Sequence, residues 1–315
     1  MNEQNRPTNA GGTQISRHHH YVPQFYSKQW CGADGRLCEF SRPHRETVPK
    51  RKHPSATGFQ LNLYSVPGAT RIAWSYIEDH FLKLSDQRAN DALQYLLTDR
   101  LSEMDGDSRS GWARFMMSQL QRTPQKVAWL LNSWNERYQP KLDQGEYEKI
   151  RRPEDPSTIE EYLEKNTDRL RAIGATQLLQ AVMDLPRFGD HLVGMEWTVG
   201  TFQNYRHDLL TSDRPVIVSN GMLKPDSFVI VPIAPDRLFV AANNEILAKR
   251  MAADDPQLVI SRCNDLVARQ AHTYVYGRND AQLRFVENRL GRGTPQLITS
   301  RLPNVNSDNG ASRSR

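Results

Sequence analysis

Apolar residues change their spacing twice along this chain, and that change constrains the fold more than any other feature. In the first third they alternate. Leu37-Cys38-Glu39-Phe40 and Phe59 through Val66 put every second side chain on one face, with Phe59, Leu61 and Leu63 together, as a half-buried strand requires. From Ile77 they recur at three and four: Ile77, Phe81 and Leu84, then Ala89, Leu93, Leu96 and Leu97 form a helical stripe. Asp105 or Asp107 is placed to cap a further helix with Trp112, Phe115, Met116 and Leu120 inward, and Pro124 opens another. The charged stretch from Tyr138 to Pro156 reads as a surface excursion with a short helix, and Ser157 opens a longer helix ending near Pro186. Short β-rich runs follow at 193–202, 209–210, 216–218, 228–231 and 238–240. A helix from Pro256 to His272, a strand at 273–276 and a terminal helix near 280–290 close the pattern. Strands, helices and strands in blocks predict an α+β fold. Its parts are a small N-terminal β-hairpin or sheet, a central helical bundle, and a C-terminal antiparallel-rich sheet with packed helices.

The length of 315 residues accommodates one domain over residues 17–300. Residues 1–16 read as a disordered leader without the apolar core of a secretory signal, and 301–315 as a disordered basic tail. No run reaches the roughly 18 apolar residues of a membrane span. Three cysteines without a CxxC pair argue against a disulfide scaffold or a cysteine zinc knuckle, so a soluble, cytoplasmic protein is expected. A net charge of +5 permits weak attraction to nucleic acid but does not require it. The one dense basic patch, Arg42 to His53, contains Pro43 and Pro49 and reads as a loop joining two strands of one small sheet. Oligomeric state cannot be read from these features.

His19-His20-Tyr21-Val22-Pro23-Gln24-Phe25-Tyr26 opens a set of motifs that continues through Leu63-Tyr64 and Ile77-Glu78. Further members are Phe115-Met116, Gln119 to Gln121 leading into Arg122-Thr123-Pro124, and Leu210-Thr211-Ser212-Asp213-Arg214-Pro215-Val216. Val231-Pro232-Ile233-Ala234-Pro235 and Asn264 complete it. Together they resemble the DUF4238 family of uncharacterised proteins over nearly the whole chain. Asp86 stands where that family usually carries a second glutamate. The resemblance implies no activity, so any function has to be argued from the residues.

His18 and His20 share one face of an extended segment, with His19 on the other. Two imidazoles with a carboxylate can hold a divalent metal, for which His20, Asp213 and Glu78 are the candidates; equally, His19 or His20 can serve buried backbone. His20-Tyr21-Val22-Pro23 also has the shape of the first strand of an HNH nuclease. In that reading His20 is the general base, Asn62 orients it and His80 binds metal, although the gap from Asn62 to His80 is longer than that motif prefers. Asp213 either builds its own turn or presents a carboxylate, and if buried it needs a partner, for which His20 or Arg122 is expected. Arg122 can hold a phosphate or pair with Asp213 or Glu78, and Gln119 lies one turn earlier on its face. Walker, GxGxxG, GxSxG and HExxH motifs are absent, and Asp236, Glu245 and Lys249 do not have the spacing of a PD-(D/E)xK nuclease.

Two functional expectations follow. The first is a metal-dependent phosphodiester-cleaving hydrolase acting on nucleic acid. It has His19, His20 and Asp213 as catalytic residues, and Arg122, Gln119 and Asn264 as substrate or phosphate contacts. The second is a non-catalytic ligand-sensing or protein-interaction module in which His, Asp and Arg form a buried network.

Overall fold

The computed structural model describes residues 18–64, 82–137, 143–219 and 221–293. The expected leader and tail, Glu78, His80 and the first apolar positions of the helical block lie outside those residues.

The chain opens with β1 (His18–His20), a short helix α1 (Gln24–Ser27) and a 3-10 turn ending at Trp30. The strands β2 (Leu37–Ser41), β3 (Val48–Lys52) and β4 (Phe59–Leu61) follow. The helical block contains α2 (Lys83–Leu97), α3 (Gly106–Gln121), α4 (Pro124–Arg137), α5 (Gln144–Ile150), α6 (Ile159–Met183) and α7 (Pro186–Gly194). Asp105 is the cap of α3, as one of the two expected aspartates, while α6 is capped by Thr158, one residue past the expected Ser157. Asp105 accepts the Ser108 amide at 2.8 Å to start α3, and Asp143 with Glu146 makes a capping box on α5.

The last block comprises β5 (Glu196–Thr201), β6 (Thr211–Ser212), β7 (Ile217–Val218), β8 (Phe228–Ala234) and β9 (Arg237–Ala242). After it come α8 (Glu245–Ala253), α9 (Pro256–Gln270), β10 (Tyr274–Gly277) and α10 (Leu283–Glu287). The protein is α+β, and the described residues form three small antiparallel sheets ordered β1-β4, β3-β2-β10-β6 and β5-β9-β8-β7.

Period-two alternation makes both four-stranded sheets two-sided. Leu37 and Tyr276, with Val229, Val231, Ile233, Phe239 and Ala241, enter one core against the helices, around Trp112, Phe115 and Met116. Cys38, Phe40 and Val275, with Ile230, Leu238 and Val240, enter a second core roofed by Ile260, Cys263 and Val267 of α9. The inner strands are therefore buried on both faces, which explains why β8 and β9 read as continuous apolar runs.

The opening motif is threaded through the first core. Tyr26 is fully buried and its hydroxyl donates to the Pro232 carbonyl at 2.6 Å while meeting the Thr211 hydroxyl at 2.6 Å. Pro232, which has no amide to give the ladder, sits where the β8–β9 register slips. The Trp30 indole donates to the Leu209 carbonyl at 2.8 Å. Upstream, the Tyr21 and Val22 amides both donate to the carbonyl of Gly58. Gly58 has φ +63°, and a Cβ there would stand 2.8 Å from Val22 Cβ, so this docking point requires glycine.

Several expectations are corrected. The basic stretch is not merely a loop: its second half is β3, paired with β2. Arg42 donates to the carbonyls of Glu287 and Leu290, and Arg51 to that of Arg278, so two of its cations tie down the C-terminal segments. Phe59–Leu61 pairs instead with β1, and the strand stops because Asn62 is left-handed, φ +54°. Leu61 and Leu84 are exposed. Helices α7 and α8 had no counterpart in the sequence pattern, since each is short and half-apolar at a strand boundary.

Candidate functional site

The TSDRP turn has a clear structural assignment. Asp213 is buried at 4% exposure, and its carboxylate accepts three backbone amides: His272 at 2.8 Å, Thr273 at 2.6 Å and Tyr274 at 3.1 Å. Its own amide donates to the Tyr274 carbonyl at 3.0 Å. The carboxylate thus clasps the link between α9 and β10, and Gln270 closes the other side by donating to the Arg214 and Val216 carbonyls. Burial pushes the Asp213 carboxyl above its ordinary range, and the three amides pull it back. The expected partner, His20 or Arg122, is replaced by backbone, because residues 272–274 arrive with three amides that no ladder uses.

Asn264 is likewise committed to the fold. Its oxygen accepts the Leu210 amide at 2.7 Å, and its nitrogen donates to the Asp208 carbonyl and the Gln282 side chain. Both donor hydrogens and the acceptor are engaged, which leaves nothing for a substrate phosphate. Gln119 donates to the Tyr21 carbonyl at 3.2 Å and so fastens α3 to the opening motif. His19 is buried, accepts the Tyr64 amide at 3.2 Å and stacks on the Tyr64 ring. Asn62 is exposed beyond the far end of β4, whose register sets His20 opposite Phe59. It cannot orient His20, and His80 lies outside the described residues, so the HNH-like arrangement loses its orienting member.

What remains of the expected cluster is Arg122 with His20. Arg122, the C-terminal cap of α3, is wholly buried, and its Nη1 reaches both oxygens of Asp86 on α2 at 3.0 and 3.3 Å. One nitrogen serves both oxygens, and among the described residues the planar Nε/Nη2 edge of the guanidinium is unused. Neither of those atoms has a hydrogen-bond partner among the described residues. That edge carries three hydrogens and matches two oxygens of a carboxylate or phosphate. Burial pushes the Asp86 carboxyl up while the Arg122 guanidinium pulls it down.

The His20 ring is half-buried and feels the charge of Arg122, and its Nε2 also lacks a hydrogen-bond partner among the described residues. Burial holds the His20 imidazole below the usual histidine range, with repulsion from His18 and Arg122 adding to it and hydrogen bonding to the Ser55 and His18 backbone opposing. The imidazole is therefore neutral at pH 7. As pH falls through the unfolded value of about 6.5, the unfolded chain takes up a proton that the folded chain refuses, so the stability linked to His20 is lost on the acid side. A His20→Gln variant should therefore lose less melting temperature than the wild type between about pH 7.5 and 5.5. Parallel melting profiles would refute this.

A second buried polar chain was not anticipated. Thr57 donates to Glu39 on β2 and lies 3.0 Å from the Tyr276 hydroxyl on β10, in the register that sets Glu39 opposite Tyr276. The signal was present in the alternation, since Glu39 shares the inward face of Leu37. Asp86 was legible in the same way: it precedes Ala89, Leu93 and Leu96 at helical spacing on the buried stripe of α2 and so needs a cation. Among the described residues no three His, Cys, Asp or Glu side chains converge to hold a metal, and Glu78 lies outside them. No helix among the described residues is long and apolar enough to cross a membrane.

These features define an α+β protein whose buried polar interior is stapled by side chains bonded to distant backbone. The family model "Protein of unknown function (DUF4238)" matches residues 18–281, and the chain belongs to that family. Comparison with curated proteins and with solved structures found no match.

Proposed function

We propose that this chain is a ligand-binding protein that receives a phosphate-bearing small molecule at Arg122 and His20. The unused Nε/Nη2 edge of the buried Arg122 carries the reading. A buried guanidinium with three hydrogens unmatched among the described residues forfeits hydrogen bonds worth on the order of 1–3 kcal/mol each, and an oxyanion restores them together with charge balance. His20 Nε2 adds a further group for a third oxygen, which favours phosphate over carboxylate. Asp213, Gln119 and Asn264 serve as the frame of the site in this reading, not as its ligands.

The test is thermal denaturation and calorimetry with inorganic phosphate, nucleoside monophosphates and a dinucleotide. Ligand at 100 times its Kd should stabilise the fold by about 2.7 kcal/mol. Arg122→Lys keeps the charge but not the fork, and should weaken binding at least about tenfold. If none of these ligands stabilises the wild type, the proposal fails.

One observation favours a second reading, phosphodiester cleavage. An imidazole kept neutral beside a phosphate anchor is poised as a general base. Turnover of DNA, RNA or bis(4-nitrophenyl) phosphate with Mg²⁺, Mn²⁺ or Zn²⁺ that disappears in His20→Gln, while phosphate binding persists, would establish it. Binding without turnover leaves the first reading.

A further inference from the structure

A cleft between a sheet and a helix that keeps hydrocarbon walls in contact with water calls for an apolar occupant. One such space, of about 450 Å³, lies between the outer face of the β5-β9-β8-β7 sheet and α9. That is roughly three times a cavity that accepts benzene, and it falls within the usual range of ligand pockets. Its walls are chiefly apolar: Phe202 beside the edge strand β5, Ile230 and Val240 on the sheet, and Val259 and Leu266 on the helix. Gly200 lines it too, and a Cβ there would stand 3.1 Å from the Phe202 ring, so the glycine lets that ring fold along the wall.

Among the described residues the charged lining is one pair, and Thr198 and Thr201 add hydroxyls on the strand side. Arg262, 66% exposed, and Asp254 both line the space, and their ion pair is stretched to 4.0 Å, the outer limit of such a contact. A guanidinium held that loosely keeps donors available for a second oxyanion, whereas most of the remaining wall is hydrocarbon. Cys263 also lines the space, but burial pushes its thiol up to about 12, so it contributes a neutral, unreactive surface.

We propose that this cavity binds an amphipathic carboxylate, a hydrocarbon chain of medium length lying between sheet and helix with its carboxylate on Arg262. Charge complementarity selects the head group, and the shape and apolarity of the walls select the chain.

The experiment titrates the full chain with decanoate, decan-1-ol and decyltrimethylammonium by calorimetry. Decanoate should bind saturably at one per chain and more tightly than the ammonium compound. Arg262→Ala should weaken decanoate about two- to fivefold, the range for an exposed ion pair, and leave decanol unchanged. Val259→Trp should fill the space and abolish both; if that variant does not fold, Arg262→Ala decides alone. Absence of saturable decanoate binding, equal effects of Arg262→Ala on acid and alcohol, or full binding by folded Val259→Trp would each overturn the proposal. Arg122→Lys should leave decanoate binding unchanged, so failure here is separable from failure at the phosphate site.

Discussion

Asp213→Ala should destabilise the protein by about 3–4 kcal/mol, a fall in melting temperature of roughly 10 °C. The substitution leaves the His272, Thr273 and Tyr274 amides without their acceptor in a site closed to solvent. Three buried donors lose a charged partner at once, and the link from α9 to β10 loses its clasp. Asp213→Asn should cost about half as much. Its one oxygen can keep the Thr273 and Tyr274 amides, but its NH₂ then faces the His272 amide, donor against donor. Urea and thermal unfolding of the three proteins check the order. An Asp213→Ala protein that melts with the wild type would show that the carboxylate is not structural and would return it to the list of functional groups.

Arg122→Met should cost about 2–4 kcal/mol, because it strands the Asp86 carboxylate. The figure stays below that of a wholly buried pair, since Asp86 is 24% exposed and recovers part of its hydration. The double variant Arg122→Met, Asp86→Leu should regain most of the loss, as apolar replacements of buried ion pairs do. Phosphate-dependent stabilisation should be absent in both. Unfolding free energies around this cycle, measured with and without phosphate, separate two roles for one side chain. Recovery of stability without recovery of binding assigns Arg122 to a ligand, whereas a double variant that still responds to phosphate removes Arg122 from the site.

The residues of the candidate site were visible in the sequence, but their partners were not. Arg122 and His20 stand in recognisable motifs, and Asp86 falls on the buried stripe of α2, so a paired guanidinium was within reach of spacing arguments. Which carboxylate it takes depends on how α2 lies against α3. Asp213 was expected to find a side chain and found three amides about sixty positions away. Asn264 was read as a substrate contact and instead fastens the strand region at Leu210 to α9. In each case the side chain satisfies backbone that only tertiary packing strips of water.

Hydrophobic period by itself determined that this protein is α+β, where most of its helices run and which proline or aspartate starts them. Those signals are local: a cap acts within three residues, and a stripe within a few turns. Tertiary structure alone decided that Val48–Lys52 joins β2 while Phe59–Leu61 joins β1, that β8 and β9 are covered on two faces, and that the opening histidine motif threads the core as far as Pro232 and Leu209. Strand pairing and the satisfaction of buried polar groups join residues far apart in sequence, and the alternation of a strand is the same whichever neighbour it finds. The Arg122 edge that is unpartnered among the described residues arises from that same non-local choice, because α2 offers Asp86 to one nitrogen only.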